Sequence, residues 1–174
     1  LTLFWLNDEL ESLWETGVDT PAYRRGNVNA AARTVVAAEE AASVELPPTD
    51  ESSRECATFV SHVLNLVADV VSDNVDELGR IDAIAGDGDH GIGMNRGARA
   101  AREAAARTAA AGGGAATTLR AAADAWSDRA GGTSGALWGV ILGAVAEHIG
   151  DEGAPSADEI AAGVAAAAAG VTAY

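Results

Sequence analysis

Lysine is absent from this chain: all eleven basic residues are arginine, set against 26 aspartates and glutamates, for a formal net charge of −15 over 174 residues. No stretch offers the basic stripe that a phosphate backbone demands, so nucleic acid is excluded as an expected partner. Cysteine occurs once, at Cys56, which rules out an internal disulfide framework and fits a reducing, cytoplasmic compartment. Lying in an apolar helical pattern, that thiol reads as a small hydrophobe. Long apolar runs are missing too. None approaches the ~18 residues needed to span a bilayer, and no basic segment precedes an apolar stretch, so no membrane is expected as a partner. Aromatics make up 5% of the residues, and strand-forming residues are too sparse for a large sheet, which leaves helices packed through small side chains.

What is present is alanine, arranged in segments with different periods. Residues 1–25 open on the apolar burst Leu1-Thr-Leu-Phe-Trp-Leu6 and then change to Leu6, Leu10, Leu13 and Trp14, so a strand followed by a helix is expected, with Asn7 as its N-cap. Residues 26–49 are polar or alanine-rich and close on Leu46-Pro-Pro-Thr49, the composition of a linker. From residue 50 onward, Cys56, Phe59, Val60, Val63, Leu64, Val67, Val70 and Val71 predict a core-facing helix that ends before a turn region, Asn74 to Arg80. His62 lies between these apolar positions and reads as a surface or core histidine rather than a ligand. Residues 94–110 are helical by propensity. A further helix runs to Trp126 with Thr117 or Thr118 as its cap, an apolar helix opens at Thr133-Ser-Gly135, and Ser156 caps a last one. The chain begins at Leu1 rather than methionine and ends just after an alanine-rich helical pattern, as expected of an internal piece of a longer protein. Apolar faces left uncovered in such a piece predict marginal stability or association.

Two segments carry chemistry. Ile81-Asp-Ala-Ile-Ala-Gly-Asp-Gly-Asp-His-Gly-Ile-Gly-Met94 places Asp82, Asp87 and Asp89 among glycines. Oxygen-only ligands on a flexible turn suit a hard cation such as Mg²⁺, which keeps several waters and completes its shell with substrate phosphates. The plain alternative is an exposed acidic turn. Gly86 to Gly91 also satisfies G-x-G-x-x-G, but two aspartates in a Rossmann turn would repel the pyrophosphate, and no alternation of strands and helices follows. An EF-hand fails on register, because counting from Asp87 the sixth and twelfth positions are Ile92 and Ala98. The second segment, Gly131-Gly-Thr-Ser-Gly135, stands at a helix start, where free amides and two hydroxyls can hold an anion without lysine. An ordinary capped helix is the alternative there.

Asp82-x4-Asp87-x-Asp89-His90-Gly91, followed some forty residues later by Gly131-Gly-Thr-Ser-Gly135, resembles the nucleotide-binding L domain (DhaL) of dihydroxyacetone, or glycerone, kinases. Leu-Thr-Leu-x-Trp-Leu-Asn-Asp-Glu-Leu and Asp19-Thr-Pro-Ala-Tyr-Arg24 resemble the C-terminal end of the substrate-binding K domain (DhaK) of the same kinases. The resemblance implies an all-α fold, part of an antiparallel eight-helix barrel over residues 50–174, preceded by a strand-helix remnant of an α/β domain over residues 1–25. It implies that Asp82, Asp87 and Asp89 hold Mg²⁺, two ions, and that His90, Gly91, Gly132, Thr133 and Ser134 contact ATP or ADP. Gly93 departs from relatives that carry asparagine there, which leaves open whether Asn95 replaces that polar contact. Two later nucleotide-side segments of the family, resembling Gly-Asp-Lys-Thr-Met and an Asp-Pro-Gly turn, do not occur, and the K-domain histidine that binds the ketose lies upstream of Leu1. No catalytic residue is assigned within this chain, which is expected to be inactive alone. The activity implied for the full-length enzyme, a homodimer carrying a DhaK-like domain, is Mg-dependent phosphoryl transfer from ATP to a short ketose, dihydroxyacetone or a tetrulose such as erythrulose. The alternatives are an ADP-binding subunit of a phosphotransferase-dependent kinase, or an inactive fragment.

Overall fold

The computed structural model describes residues 5–20, 23–24 and 46–173. The chain divides into two compact units, residues 1–43 and 44–174. The first contains α1 (Asp8–Glu15) and a two-residue antiparallel ribbon, β1 (Asp19–Thr20) with β2 (Tyr23–Arg24), in which Thr20 faces Tyr23. Asn7 caps α1 as its sequence predicts, accepting the Leu10 amide at 2.9 Å. Most of the expected opening strand lies outside the described residues, and Trp5 and Leu6 are not in a strand. The expected linker over 26–49 is described only from Leu46 onward.

The second unit is all helix: α2 (Glu51–Asp73), α3 (Val75–Asp82), α4 (His90–Ala110), α5 (Ala115–Ala130), α6 (Gly132–Ile149) and α7 (Ala157–Ala173). Helices α4 to α7 each pack on the next, and α2 lies across α4 and α5. Because the connections are short, successive helices from α4 to α7 run in opposite directions. No described helix is long and apolar enough to cross a membrane.

Small residues set the spacing of the core. Ala98, Ala101, Ala105, Ala115, Ala122 and Ala146 are buried with Leu64, Leu119, Ile149 and Trp126. The Trp126 ring is 1% exposed and stacks on Trp138 with centroids 5.1 Å apart. It fits against α4 because residue 97 is glycine: a Cβ there would lie 2.6 Å from both Cδ1 and Nε1 of Trp126.

The end of the unit remote from the aspartates is held by side chains that satisfy helix-start amides. Asp50 caps α2, accepting from Ser53 at 2.8 Å, and also accepts from the Gly153 amide at 2.6 Å. Ser53 Oγ accepts from the Ala115 amide at 3.0 Å, and Asp151 takes the Thr117 amide and hydroxyl at 3.0 and 2.6 Å. The threonines expected to cap α5 therefore do not. Helix α5 starts earlier, at Ala115, and its free amides are served by Ser53 and Asp151 from other segments. Thr118 is instead fully buried. Ser156 does cap α7, in a reciprocal pair with Glu159.

Two further expectations are corrected. The turn region from Asn74 to Arg80 is mostly helix, α3, because Val75 and Leu78 continue a helical spacing and Leu78 packs on the core. A Glu77–Arg80 ion pair at 2.6 Å lies along its exposed side. On α2, Leu64 is buried and Cys56, Val60, Val67 and Val71 pack against the core. Phe59, Val63 and Val70 stay exposed, by 68%, 38% and 62%, because no described helix covers that side of α2. His62 is exposed.

Candidate metal and phosphate site

Between α3 and α4 the chain makes a tight loop whose glycines have separate reasons. Gly88 has φ +82, a left-handed conformation that side chains resist. At Gly86 the reason is space, since a Cβ would lie 2.6 Å from Asp82 Oδ1. Asp82, at the end of α3, reaches into the loop and accepts the Gly88 amide at 2.9 Å and the His90 amide at 3.4 Å. The loop is thus folded around one of its own carboxylates. Helix α3 supports it from beneath, with the Gly88 carbonyl 2.9 Å from where a Gly79 Cβ would stand.

This folding brings one carboxylate oxygen from each of Asp82, Asp87 and Asp89 within 4.8 Å of one another. Asp82 is half-buried, and Asp87 and Asp89 are exposed. The Asp87 carboxylate holds the Asp89 carboxyl above its ordinary value by charge repulsion and by a hydrogen bond, partial desolvation and Asp82 add to this, and Arg96 opposes it. Three convergent oxygen donors are the donor set a hard divalent cation takes.

Across from the carboxylates stands the start of α6. Gly131 alone joins α5 to α6, and both Gly131 and Gly132 have positive φ, +70 and +59. No side chain caps α6, so the amides of its first turn remain open to a ligand. A cavity of about 330 Å³ lies between, lined by the three aspartates, His90, Gly93, Met94, Ala130 and the run Gly131 to Ser134. Of the residues singled out in the sequence, Asp82, Asp87, Asp89, His90, Gly132, Thr133 and Ser134 all face this cavity. Gly91 does not line it. It is buried where α4 meets α3, and a Cβ there would collide with the Val75 carbonyl. Met94, Ala130 and Gly131 line the cavity without having been singled out as contacts. Gly131 opens the Gly-Gly-Thr-Ser-Gly segment, whereas nothing in the chemistry of Met94 and Ala130 marks them, and only the crossing of α4 with the α5–α6 joint does.

The chain is similar to three curated kinases. It is 49% identical over 168 residues to an L-erythrulose kinase of Pectobacterium atrosepticum, covering 94% of this chain and 28% of that protein. It is 46% identical over 172 residues to a D-erythrulose kinase of Mycolicibacterium smegmatis, covering 94% of this chain and 29% of the relative. An L-erythrulose 1-kinase of the same organism is 49% identical over 169 residues, which cover 94% of this chain and 30% of the relative. The chain therefore spans less than a third of the length of these relatives. No solved structure matches it significantly. Residues 84–174, just over half of the chain, match the DAK2 domain, and this match takes in Asp87, Asp89 and the whole α6 side of the cavity, so the chain belongs to the DAK2 domain family.

Proposed function

We propose that this chain supplies the metal and nucleotide half of an ATP-dependent ketose kinase. The observation that carries the reading is the opposition, across one cavity, of three converging carboxylates and an uncapped helix start. With no lysine in the chain and no arginine lining this cavity, a polyphosphate held here would rest on oxygen-bound cations and open backbone amides. Both converge here. The family supports the nucleotide, and the three similar kinases support a four-carbon ketose such as erythrulose, with dihydroxyacetone as the shorter candidate.

In this reading Asp82, Asp87 and Asp89 hold Mg²⁺, two ions as the resemblance implies, and bound Mg²⁺ would neutralise phosphate oxygens as charge moves onto the leaving ADP. Asp82 has a second task, since its hydrogen bonds to Gly88 and His90 keep the loop closed around the site. The amides and hydroxyls of Gly132, Thr133 and Ser134 orient the phosphates and stabilise negative charge on them. His90 and Gly93 shape the wall on the α4 side. Residues 1–25 belong in this reading to a DhaK-like substrate domain, residues 26–49 form a linker, and residues 50–174 form part of an eight-helix barrel. The ketose site lies on the DhaK-like domain of the full-length, homodimeric enzyme, and no catalytic residue is placed in this chain.

Calorimetric titration with Mg·ADP tests the site. Binding by the full-length protein is expected to fall more than about tenfold in Asp87→Ala, because a direct ligand is lost where even supporting partners are worth that much. Unchanged Mg-dependent binding would overturn the assignment. Phosphorylation of erythrulose by the full-length protein with ATP alone tests the activity, and a strict requirement for a phosphotransferase protein would refute ATP as the donor.

A further inference from the structure

Behind the α4 wall of the aspartate cavity lies a second concavity of about 670 Å³, lined mainly by Asn95, Arg96, Arg99, Glu103, Asp128 and Arg129. Three of the chain's eleven basic residues converge there. The chain carries more than two acids per base, so arginines clustered without carboxylate partners run against its composition. Among the described residues none of the three guanidiniums forms a hydrogen bond or an ion pair, although Glu103 and Asp128 line the same groove. Arg102, one position from that face, does find a partner in Asp69 at 3.5 Å. In the same wall the side-chain Oδ1 of Asn95 is buried without a partner.

We propose that this groove is a second anion site, which takes a small phosphorylated compound bearing hydroxyl groups. Guanidinium groups present planar, paired donors that match phosphate, and they need no metal to do so. Glu103 and Asp128 are acceptors only, and they suit the hydroxyls of the same molecule. A groove built for an acidic macromolecule would have little use for two carboxylates in its wall, because like charges across an interface are repelled. The aspartate cavity and the groove share the second turn of α4 and the end of α5: Gly93, Met94 and Ala130 face the first, and Asn95, Arg96 and Arg129 the second.

The inference stands on the groove itself and survives failure of the kinase reading. The probe is glycerol 3-phosphate, titrated into the full chain in the presence of EDTA while the arginine Nε–H signals are followed by NMR. Saturable shifts with a dissociation constant below about 10 mM are expected, weakened about tenfold or more in the double variant Arg99→Gln, Arg129→Gln. Both side chains are exposed, and an unchanged spectrum elsewhere verifies that the variant is folded. Glycerol should not bind, and methyl phosphate should bind more weakly. Shifts that never saturate, equal affinity in the double variant, or binding that appears only with Mg²⁺ would each overturn the proposal, the last by locating the ligand at the aspartates. Equal affinity for methyl phosphate would overturn the role given to Glu103 and Asp128.

Discussion

Gly97→Ala and Gly143→Ala make the same chemical change in the middle of two neighbouring helices and should shift stability in opposite directions. Removing a glycine from a helix interior is worth about 1 kcal/mol through backbone entropy. At Gly143 nothing lies within 4 Å of the added methyl group, so that gain should appear almost undiminished. At Gly97 the methyl would stand 2.6 Å from Cδ1 and Nε1 of Trp126 and 2.8 Å from the Ala130 Cβ. Ordinary carbon contacts need about 3.5–4.0 Å, so α4 and α5 must separate by the better part of an ångström. Trp126 is buried and stacked on Trp138, and cannot swing away. Overpacking of this kind costs about 2–3 kcal/mol. After the entropic gain, a net loss of about 1–2 kcal/mol remains. In urea, with a slope of about 2 kcal/mol per molar, the Gly97→Ala midpoint should fall by about 0.5–1 M and the Gly143→Ala midpoint should rise by about 0.5 M. The displaced helix ends carry Asp89 and His90 on one side and the Gly131 joint on the other, so Mg·ADP affinity should fall in Gly97→Ala and hold in Gly143→Ala. Stabilisation by both substitutions would refute the account of α4–α5 packing.

Ser53→Ala removes the buried acceptor of the Ala115 amide and should cost about 1–3 kcal/mol in chemical denaturation, with Ser53→Thr a partial rescue. Asp89→Asn should raise the melting temperature of the metal-free chain, since repulsion from Asp87 is relieved, while Mg²⁺ binding is lost; a lowered melting temperature would show that the carboxylates do not crowd one another. The amides of Ser53 and Gly153 hold the Asp50 carboxyl below its ordinary value. Its contribution to stability is therefore full above the unfolded-state pKa, about 4, and is lost as pH falls through the lower folded-state value. Asp50→Asn should flatten the acid limb of a plot of melting temperature against pH.

The aspartate loop was legible because three carboxylates and four glycines in fourteen residues have few other uses, and the start of α6 because Gly-Gly-Thr-Ser-Gly marks a helix boundary; that the helix is uncapped came only from the structure. Both landed on one cavity. Helix α3 was not legible as a helix. Asn74 and Gly79 are turn residues by propensity, and only packing of Leu78 against the core overrides them. The cap of α5 was missed for a related reason. Thr117 and Thr118 are local candidates, whereas the groups that serve the helix start, Ser53 and Asp151, stand 62 and 34 residues away along the chain from the amides they accept. Helical spacing on α2 located a face but not what lies against it, which is why Phe59 and Val70 read as core and prove exposed. The arginine groove has no sequence motif at all, because Arg96 and Arg99 are brought beside Arg129 only by the crossing of α4 and α5.

The polar clasps at Asp50, Ser53 and Asp151 fasten the helices at the end opposite the aspartate loop, and α5 then acts as a lever. Its sixteen residues reach about 24 Å, so a tilt of about 2° at the clasped end carries the Gly131 joint by nearly 1 Å. Displacements of that size can lower catalysis about a hundredfold. In the full-length kinase proposed above, substitutions among these remote polar residues should therefore lower turnover as well as stability.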